Sequence, residues 1–270
     1  MNKRVLITGA SEGIGKELAK VFAMHGYDLV IVARNNEKLD ALKEEITSVH
    51  GVDVQIICID LSDPSNPEKL YRAMSHLQID VLINNAGVGS FGEFYKSDIE
   101  KEEKLIMLNV VSLVKLTHLY ITDMARRNDG CIINIGSTAS FQPGPLMANY
   151  YASKAYVLSF TEAVAEEMKN TNVKVIAYCP APTRTGFLTK ANISRDKALQ
   201  GKNLKSPREV AEDIYQTMNK GKSVKISSKR MKAAIFLERL VPRSLTNRFV
   251  YNMQSKRKDD GEKKEENKEE

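Results

Sequence analysis

Short apolar segments alternate with longer amphipathic stretches along the first two-thirds of the chain. Each apolar segment is nearly continuous, which is typical of strands that are buried on both faces of a sheet. Repeated alternation of strand and helix predicts one α/β domain with a parallel sheet and right-handed crossovers. The predicted strands are VLITG (5–9), LVIVAR (29–34), VQIICID (54–60), VLINNAG (81–87), CIINIGS (131–137), VKVIAYC (173–179) and a weaker VKIS (224–227).

The C-terminal part of the chain departs from this alternation. Ser206-Pro207-Arg208-Glu209 has the pattern of a capping box with proline at the first helical position, so we predict a helix start there. We predict a domain at 1–228, followed by a basic amphipathic helical extension at 229–254. Residues 255–270 include no large apolar side chain and cannot offset their ordering entropy by burial, so we predict a disordered tail.

A glycine cluster follows the first predicted strand and opens the first predicted helix. It reads Thr8-Gly9-Ala10-Ser11-Glu12-Gly13-Ile14-Gly15. Glycines let the backbone approach a phosphate closely, and a helix N-terminus supplies free N–H groups and partial positive charge. At a strand-to-helix junction this pattern indicates a dinucleotide site, and a tight turn with packing glycines is the alternative. The spacing is G-x-x-x-G-x-G rather than the commoner G-x-G-x-x-G.

The end of the second predicted strand bears on which dinucleotide binds. NAD sites usually place an acid there to bind the ribose hydroxyls, whereas this chain has Ala33 followed by Arg34. An arginine can pair with a 2′-phosphate through its planar fork of donors. The pattern favours NADP(H), with a solvated loop charge as the alternative for Arg34. Glu12 argues mildly against it, because it adds negative charge near the phosphates.

The stretch NYYASKAY, from Asn149 to Tyr156, places two tyrosines before one lysine. Reduction of a ketone needs a proton on oxygen, and a tyrosine with a pKa of about 10 exchanges protons poorly near neutral pH. A nearby ammonium and an oxidised nicotinamide favour the phenolate and lower that pKa. Tyr150 lies four residues before Lys154 and Tyr151 three, so helical spacing alone leaves both tyrosines open.

Six motifs in family order make the chain similar to the short-chain dehydrogenase/reductase superfamily, from about Val5 to Thr185. The resemblance implies a Rossmann-like doubly wound parallel sheet of about seven strands. Its pattern Y-x-A-S-K identifies Tyr150 as the general acid and leaves Tyr151 to packing or to a wall of the substrate pocket. The motifs are TGASEGIG (8–15), Asp60-Leu61, NNAG (84–87), Asn109 in LNVV, Ser137 in NIGS and Tyr150-x-x-x-Lys154.

The resemblance also implies catalytic roles. Ser137 would hydrogen-bond the substrate oxygen and stabilise developing charge. Lys154 would support Tyr150 and hold the nicotinamide ribose. Asn109 would hold a water that links Lys154 to solvent as a proton relay. The catalytic set implied is therefore Asn109, Ser137, Tyr150 and Lys154.

Further positions are implied for the dinucleotide. Asp60 would accept from the adenine amino group, Asn85 and Gly87 would line the adenine ribose, and Thr183 and Thr185 would lie near the carboxamide or phosphates. The full set is Gly9, Ser11, Gly13, Ile14, Gly15, Arg34, Asp60, Leu61, Asn85, Ala86, Gly87, Tyr150, Lys154, Pro180, Thr183 and Thr185.

One departure from the family pattern follows the sixth predicted strand. The family usually has Pro-Gly there, whereas this chain has Pro180-Ala181-Pro182. Loss of the glycine removes access to positive φ, and the second proline stiffens the loop. We expect a small shift at the nicotinamide end of the site and no loss of catalysis.

Two stretches, 138–149 and 187–204, are predicted to shape the substrate pocket. The first has no charged residue, which favours a hydrophobic ketone or alcohol over a sugar or hydroxy acid. Simple loop packing is the alternative. The apolar residues concerned are Phe141, Pro143, Pro145, Leu146, Met147, Phe187 and Leu188.

The basic extension carries the charge of the chain. Between Lys229 and Lys258 the sequence has nine Lys/Arg residues and one acid, so this segment has a net charge of +8. The whole chain has a net charge of +6, so the remaining residues sum to −2. The extension resembles that of hydroxysteroid and long-chain 3-oxoacyl reductases. It could cover the pocket, pack on a second subunit, or lie on anionic lipid as a helix pair. Its apolar positions at helical spacing are Ala233, Leu237, Leu240, Val241, Leu245, Phe249 and Met253.

Composition limits where the protein is expected to be located and which other ligands it is expected to bind. The 270 residues include no run of about 18 apolar residues and no secretory leader, so we expect a cytoplasmic protein without a membrane span. Cys58, Cys131 and Cys179 lie apart among apolar neighbours, so we predict buried reduced thiols and no metal site. No nucleic-acid reader motif occurs.

Together these features predict an NADP(H)-dependent oxidoreductase that interconverts a ketone and a secondary alcohol on a hydrophobic, steroid-like or acyl-chain-like substrate. The alternative is a membrane-peripheral NADP(H)-binding adaptor with little turnover. The resemblance further implies homodimers or homotetramers, formed through the helices that contain residues 99–127 and 150–170.

Overall fold

The computed structural model describes residues 2–184, 204–238 and 240–255. Its strands are β1 (Arg4–Thr8), β2 (Asp28–Ala33), β3 (Val54–Cys58), β4 (Val81–Asn84), β5 (Gly130–Ile135), β6 (Val173–Cys179) and β7 (Val224–Ile226). Within the described residues they form one parallel sheet of seven strands in the order β3-β2-β1-β4-β5-β6-β7. The predicted doubly wound sheet is confirmed, including its short seventh strand.

Helices cover both faces of the sheet. They are α1 (Gly13–Met24), α2 (Asn36–His50), α3 (Asn66–Ala73), α4 (Ile99–Ile106), α5 (Leu113–Arg127), α6 (Ala148–Glu167), α7 (Pro207–Lys220), α8 (Lys229–Glu238) and α9 (243–255). Successive strand residues point to opposite faces, so β1 serves two cores. Val5 and Ile7 pack with α1, α2 and α7, whereas Leu6 packs with α3 and α5.

The start of α7 agrees with its predicted capping box. Ser206 Oγ accepts from the Glu209 N–H at 3.2 Å, and Glu209 Oε2 accepts from the Ser206 N–H at 2.6 Å. Two backbone donors at the helix start are therefore satisfied reciprocally.

Helices α4 and α5 are joined by a π-helical segment, Met107–Ser112. The combined helix, Ile99–Arg127, is long and apolar enough to cross a membrane by length and composition, although we predicted no such segment. Core helices can have the same composition, and Leu116, Tyr120 and Met124 of this helix pack against the sheet. The π-helical segment contains Asn109, and such bulges often mark functional positions.

The apolar positions predicted in the basic extension do not form its packed face. Leu240 is 76% exposed and Phe249 is 70% exposed, whereas Val250 is 1% exposed. Helical spacing identifies an apolar stripe and not what that stripe faces, so the three alternatives for it stay predictions. The buried side chains of α8 and α9 are Ile235, Thr246, Val250 and Gln254.

The three cysteines differ in their surroundings. Cys131 and Cys179 are buried, as predicted, but Cys58 is exposed. The prediction for Cys58 was wrong because β3 lies at the edge of the sheet. The Cys58 thiol donates to the Arg34 carbonyl oxygen at 3.3 Å.

Candidate active site

The glycine loop lies where the strand order reverses between β1 and β4, the position at which open α/β sheets bind ligands. Gly9 and Gly13 have φ angles of +67° and +57°, which favour glycine. A Cβ on Gly15 would lie 2.1 Å from the Gly9 carbonyl oxygen, so no side chain fits there. Ser11 is half-buried in this loop, and Ile14 packs against the core.

Asn85 holds the glycine loop against β4. Its Nδ2 donates to the carbonyl oxygens of Thr8 at 2.9 Å and Gly9 at 3.2 Å. The N–H groups of Asn85 and Ala86 donate to Thr8 Oγ1 at 3.0 and 2.9 Å. Asn85 thus shapes the crevice through the loop, a contact that the sequence did not indicate.

The N-terminus of α1 fits a pyrophosphate. The N-cap residue Glu12 makes no capping hydrogen bond with its side chain, and the bare glycine backbone surrounds this helix end. Lys38 Nζ pairs with Glu12 Oε2 at 3.3 Å and offsets the negative charge that argued against an anionic ligand. The sequence analysis did not identify Lys38. Its position in the first turn of the helix after Arg34 was the feature that could have indicated a cation near the glycine loop.

Arg34 and Asp60 form the far side of this crevice. Arg34 is 66% exposed, and its guanidinium lies 3.7 Å from Asp60 Oδ2. Asp60 Oδ1 accepts from the N–H and the hydroxyl of Ser62 at 2.9 and 2.8 Å. Burial alone would raise the pKa of Asp60, but the Ser62 bonds and the Arg34 charge hold that pKa below its usual value. Leu61 is buried in the core.

Ser137 lies just beyond the end of β5 in a fixed backbone conformation. Its Oγ accepts from the Ala139 N–H at 3.1 Å, and its own N–H donates to Ser140 Oγ at 3.2 Å. This capping box begins the short 3₁₀ helix Thr138–Phe141. The Ser137 hydroxyl also hydrogen-bonds Tyr150, which joins two of the predicted catalytic residues.

Tyr150 and Lys154 lie one turn apart on α6, and burial opposes charge on both. Burial raises the pKa of Tyr150 to about 12, although the Ser137 hydrogen bond lowers it in part. Burial lowers the pKa of Lys154 to about 8. The protein side chains alone therefore do not produce the lowered Tyr150 pKa that we expected.

The Lys154 amine lies close to Gly87 and to the side chain of Asn109. Lys154 Nζ donates to the Ile135 carbonyl oxygen at 2.8 Å. A Cβ on Gly87 would lie 3.2 Å from Asn109 Oδ1 and 3.5 Å from Lys154 Nζ, so glycine allows this approach. The side-chain amide of Asn109 makes three hydrogen bonds. Its Oδ1 accepts from the Val88 N–H, and its Nδ2 donates to the Val88 carbonyl oxygen and to Ser153 Oγ, which uses both Nδ2 hydrogens. The side chain thus has no donor left for the predicted water.

Tyr151 packs behind Tyr150, with ring centroids 6.0 Å apart. It is 8% exposed, and Gln254 Nε2 of α9 donates to its hydroxyl at 3.1 Å. A Cβ on Gly144 would lie 2.1 Å from Tyr151 Cγ, so the loop before α6 lies directly on the ring. The C-terminal helix therefore contacts the site through Tyr151.

The predicted pocket stretch 138–149 divides between two clusters. Met147 packs with Ala139 and Tyr151, near the partly buried Tyr150. Phe141 instead packs against Leu158 and the end of β6, which is the loop-packing alternative. Residues 187–203 of the second stretch lie outside the described residues.

The loop after β6 is held at both ends. The Pro180 carbonyl oxygen accepts from the Thr138 N–H at 3.0 Å, and the Ala181 N–H donates to Ser227 Oγ at 2.8 Å. Thr183 is buried and donates to the Ala181 carbonyl oxygen at 2.8 Å. Thr185 lies outside the described residues.

Comparisons with known proteins agree with this geometry. Residues 3–196 match the sequence profile of the family described as short chain dehydrogenase, so the chain belongs to that family. It is therefore an oxidoreductase with a Rossmann-like fold.

Individual relatives extend the comparison. A 7beta-hydroxysteroid dehydrogenase from Mediterraneibacter gnavus is 33% identical over 85% of this chain and 88% of its own. A very-long-chain 3-oxoacyl-CoA reductase from Anas platyrhynchos is 35% identical over 71% of this chain and 63% of its own. The structure of a short-chain dehydrogenase from Sphingobium yanoikuyae in complex with NADPH is 32% identical, with a TM-score of 0.80 over 88% of this chain and 93% of that one.

The close approach of Gly15 to Gly9 predicts the effect of a single methyl group. Gly15→Ala should abolish dinucleotide binding, because the methyl group displaces the loop that faces the α1 N-terminus. Gly26→Ala is the matched control, since Gly26 has a φ of +77° but no atom within 4 Å of an added Cβ. It should cost stability, about 1 kcal/mol for a strained backbone, without loss of binding. Fluorescence titration with NADPH measures both variants, and equal affinity would contradict the assignment.

Proposed function

We propose that this oxidoreductase interconverts hydrophobic ketones and secondary alcohols with NADP(H), and that Tyr150 is its general acid and base. The observation that carries the proposal is the convergence of Ser137, Tyr150 and Lys154 at the end of β5 and the start of α6. The Ser137 hydroxyl bonds Tyr150, and the buried Lys154 amine lies one helical turn away.

The side chains divide the work between proton transfer and orientation. Bound NADPH would supply the hydride. Tyr150 donates its proton to the substrate oxygen, and Ser137 donates a hydrogen bond that stabilises negative charge on that oxygen. Burial holds Tyr150 in its protonated form, which suits the direction of reduction. Lys154 has a pKa of about 8, so near neutral pH it is charged and offsets part of the penalty for forming a phenolate.

The preference for NADP(H) rests on the cations beside the crevice. Arg34 is exposed enough to turn toward a 2′-phosphate, and its ion pair with Asp60 at 3.7 Å is loose. Lys38 adds a second cation at the glycine loop. The NADPH bound to the relative from Sphingobium yanoikuyae supports the same preference.

The substrate is proposed to be a steroid-like or acyl-chain-like ketone or alcohol. Met147, Ala139 and Tyr151 form an apolar cluster around Tyr150, together with Phe91. These apolar side chains beside Tyr150 suit an apolar molecule. The hydroxysteroid dehydrogenase and 3-oxoacyl reductase relatives support this class of substrate.

The extension offers a surface for anionic lipid, and we include peripheral membrane contact in the proposal. Large apolar side chains of α8, α9 and the turn between them are exposed beside the exposed cations Lys232, Arg243 and Arg248. Apolar groups among cations suit the boundary of an anionic bilayer. The apolar side chains are Phe236, Leu237, Leu240, Val241, Leu245, Phe249 and Tyr251. An NADP(H)-binding adaptor at the membrane, with little turnover, is the alternative function.

Two tyrosine variants test the reaction, and turnover by the wild type distinguishes the enzyme from the adaptor. NADPH oxidation is followed with steroids, 3-oxoacyl thioesters and small diketones. Tyr150→Phe should abolish turnover while NADPH still binds, because only the transferable proton is lost. Tyr151→Phe is the matched control and should retain turnover, since it removes only the hydroxyl that Gln254 bonds. Wild-type turnover in Tyr150→Phe would overturn the mechanism, and no turnover of any substrate by the wild type would favour the adaptor.

Replacement of the two cations tests the dinucleotide preference. Arg34→Ala should weaken NADPH binding about tenfold, the scale of one charge-assisted contact of roughly 1.5 kcal/mol, and should change NADH affinity little. Lys38→Ala should weaken the binding of both dinucleotides, because it removes the cation that offsets Glu12 beside the pyrophosphate. Lys43→Ala, on the exposed part of α2, serves as the control. Equal losses for NADPH and NADH in Arg34→Ala would show that Arg34 does not read a 2′-phosphate.

Vesicle flotation tests the lipid surface. The double variant Leu245→Ser/Phe249→Ser should reduce flotation with phosphatidylglycerol-containing vesicles, because both side chains are exposed on α9. Tyr95→Ser, with a side chain exposed elsewhere on the protein, is the control. A changed oligomer size with unchanged flotation would indicate packing on a second subunit instead.

A further inference from the structure

Glu102 is a buried carboxylate that the proposed reaction does not use. It lies on α4 and is 5% exposed. Its Oε2 accepts from Asn149 Nδ2 at 2.8 Å and from Ser90 Oγ at 3.2 Å. A buried carboxylate is costly unless hydrogen bonds satisfy it, so Glu102 depends on these two side chains and they are held by it.

The Glu102 contacts repeat those of Asn109. Asn109 bonds the Val88 backbone in the loop after β4 and Ser153 on α6. Glu102 bonds Ser90 in the same loop and Asn149 on α6. Both side chains reach the same loop and the same helix, so they lie on one side of the helix that runs from α4 into the π-helical segment.

The two contacts on α6 are also one turn apart. Asn149 and Ser153 each come directly before a member of the reactive pair, Tyr150 and Lys154. The helix that starts at α4 thus holds the loop and the start of α6 at two levels. The lower contact, from Asn109, lies at the level of Lys154, and the upper contact, from Glu102, lies at the level of Tyr150.

The upper contact lies where α6 needs support. Its N-cap residue, Met147, makes no side-chain capping bond, and no acidic residue occurs in its first turn. A carboxylate near a helix N-terminus is favourable because it faces the positive end of the helix dipole. Glu102 supplies that charge from a neighbouring helix.

We propose that Glu102 is a positioning residue for Tyr150, which it orients through Asn149 and the Ser90 loop. This inference rests on the proposed role of Tyr150. Misplacement of a reacting group by about 1 Å can cost up to about a hundredfold in rate, so loss of this contact should act on turnover.

Kinetics of Glu102 variants test the proposal. Glu102→Ala should lower kcat by about tenfold or more, with little change in KM or in NADPH affinity. Glu102→Gln should recover part of kcat, because its amide oxygen can still accept from Asn149. Glu103→Gln, at an exposed neighbouring position, is the control and should have wild-type kcat. Thermal unfolding of each variant shows whether it is folded.

An exchange of partners gives a second test that does not depend on the alanine variant. Asn149→Asp alone places a second carboxylate beside Glu102 and removes the donor, so kcat should fall. The double variant Glu102→Gln/Asn149→Asp restores the bond with donor and acceptor exchanged, and should recover kcat above that of Asn149→Asp.

Three results would overturn the proposal. They are wild-type kcat in both Glu102 variants, losses that appear only in KM or NADPH affinity, and no recovery in the exchanged pair. Failure of the proposed function is distinguishable, because it shows as turnover retained in Tyr150→Phe whatever the Glu102 variants do.

Discussion

A buried amine sets the geometry of the candidate active site. Lys154 is 6% exposed, and its Nζ donates to the Ile135 carbonyl oxygen at 2.8 Å. An ammonium removed from water needs acceptors in the protein, so this bond ties α6 to the end of β5. Ser137 follows Ile135 by two residues, and Tyr150 precedes Lys154 by one turn. The same contact therefore brings the hydroxyls of Ser137 and Tyr150 together.

Buried polar side chains define this arrangement further inside the protein. Asn84 Nδ2 on β4 donates to Asn134 Oδ1 on β5 at 2.9 Å, and Asn134 Nδ2 donates to Thr161 Oγ1 on α6 at 3.0 Å. Apolar packing tolerates small shifts, whereas a buried polar group loses its partner when it moves. These bonds thus hold two strands and α6 in one relative position, from which the loops carrying the site extend.

Local sequence patterns were sufficient for much of the fold and part of the site. The strands, the start of α7 and the one-turn spacing of Tyr150 and Lys154 on α6 depend on residues close in the chain. Other contacts join residues that are far apart: Glu12 and Lys38 are separated by 26 residues, and Glu102 and Asn149 by 47. No periodicity encodes such pairs, because they form only when the crossovers bring separate loops to one edge of the sheet.

The basic extension separates the two kinds of information most clearly. Its helical spacing and positive charge can be read from the chain, since both are properties of neighbouring residues. Which side chains are buried depended on the surface that receives them. Gln254 is fully buried because its amide reaches the Tyr151 hydroxyl at 3.1 Å, whereas Phe249, five residues earlier, remains 70% exposed. Burial is decided by the partner across the contact, and only the tertiary structure supplies that partner.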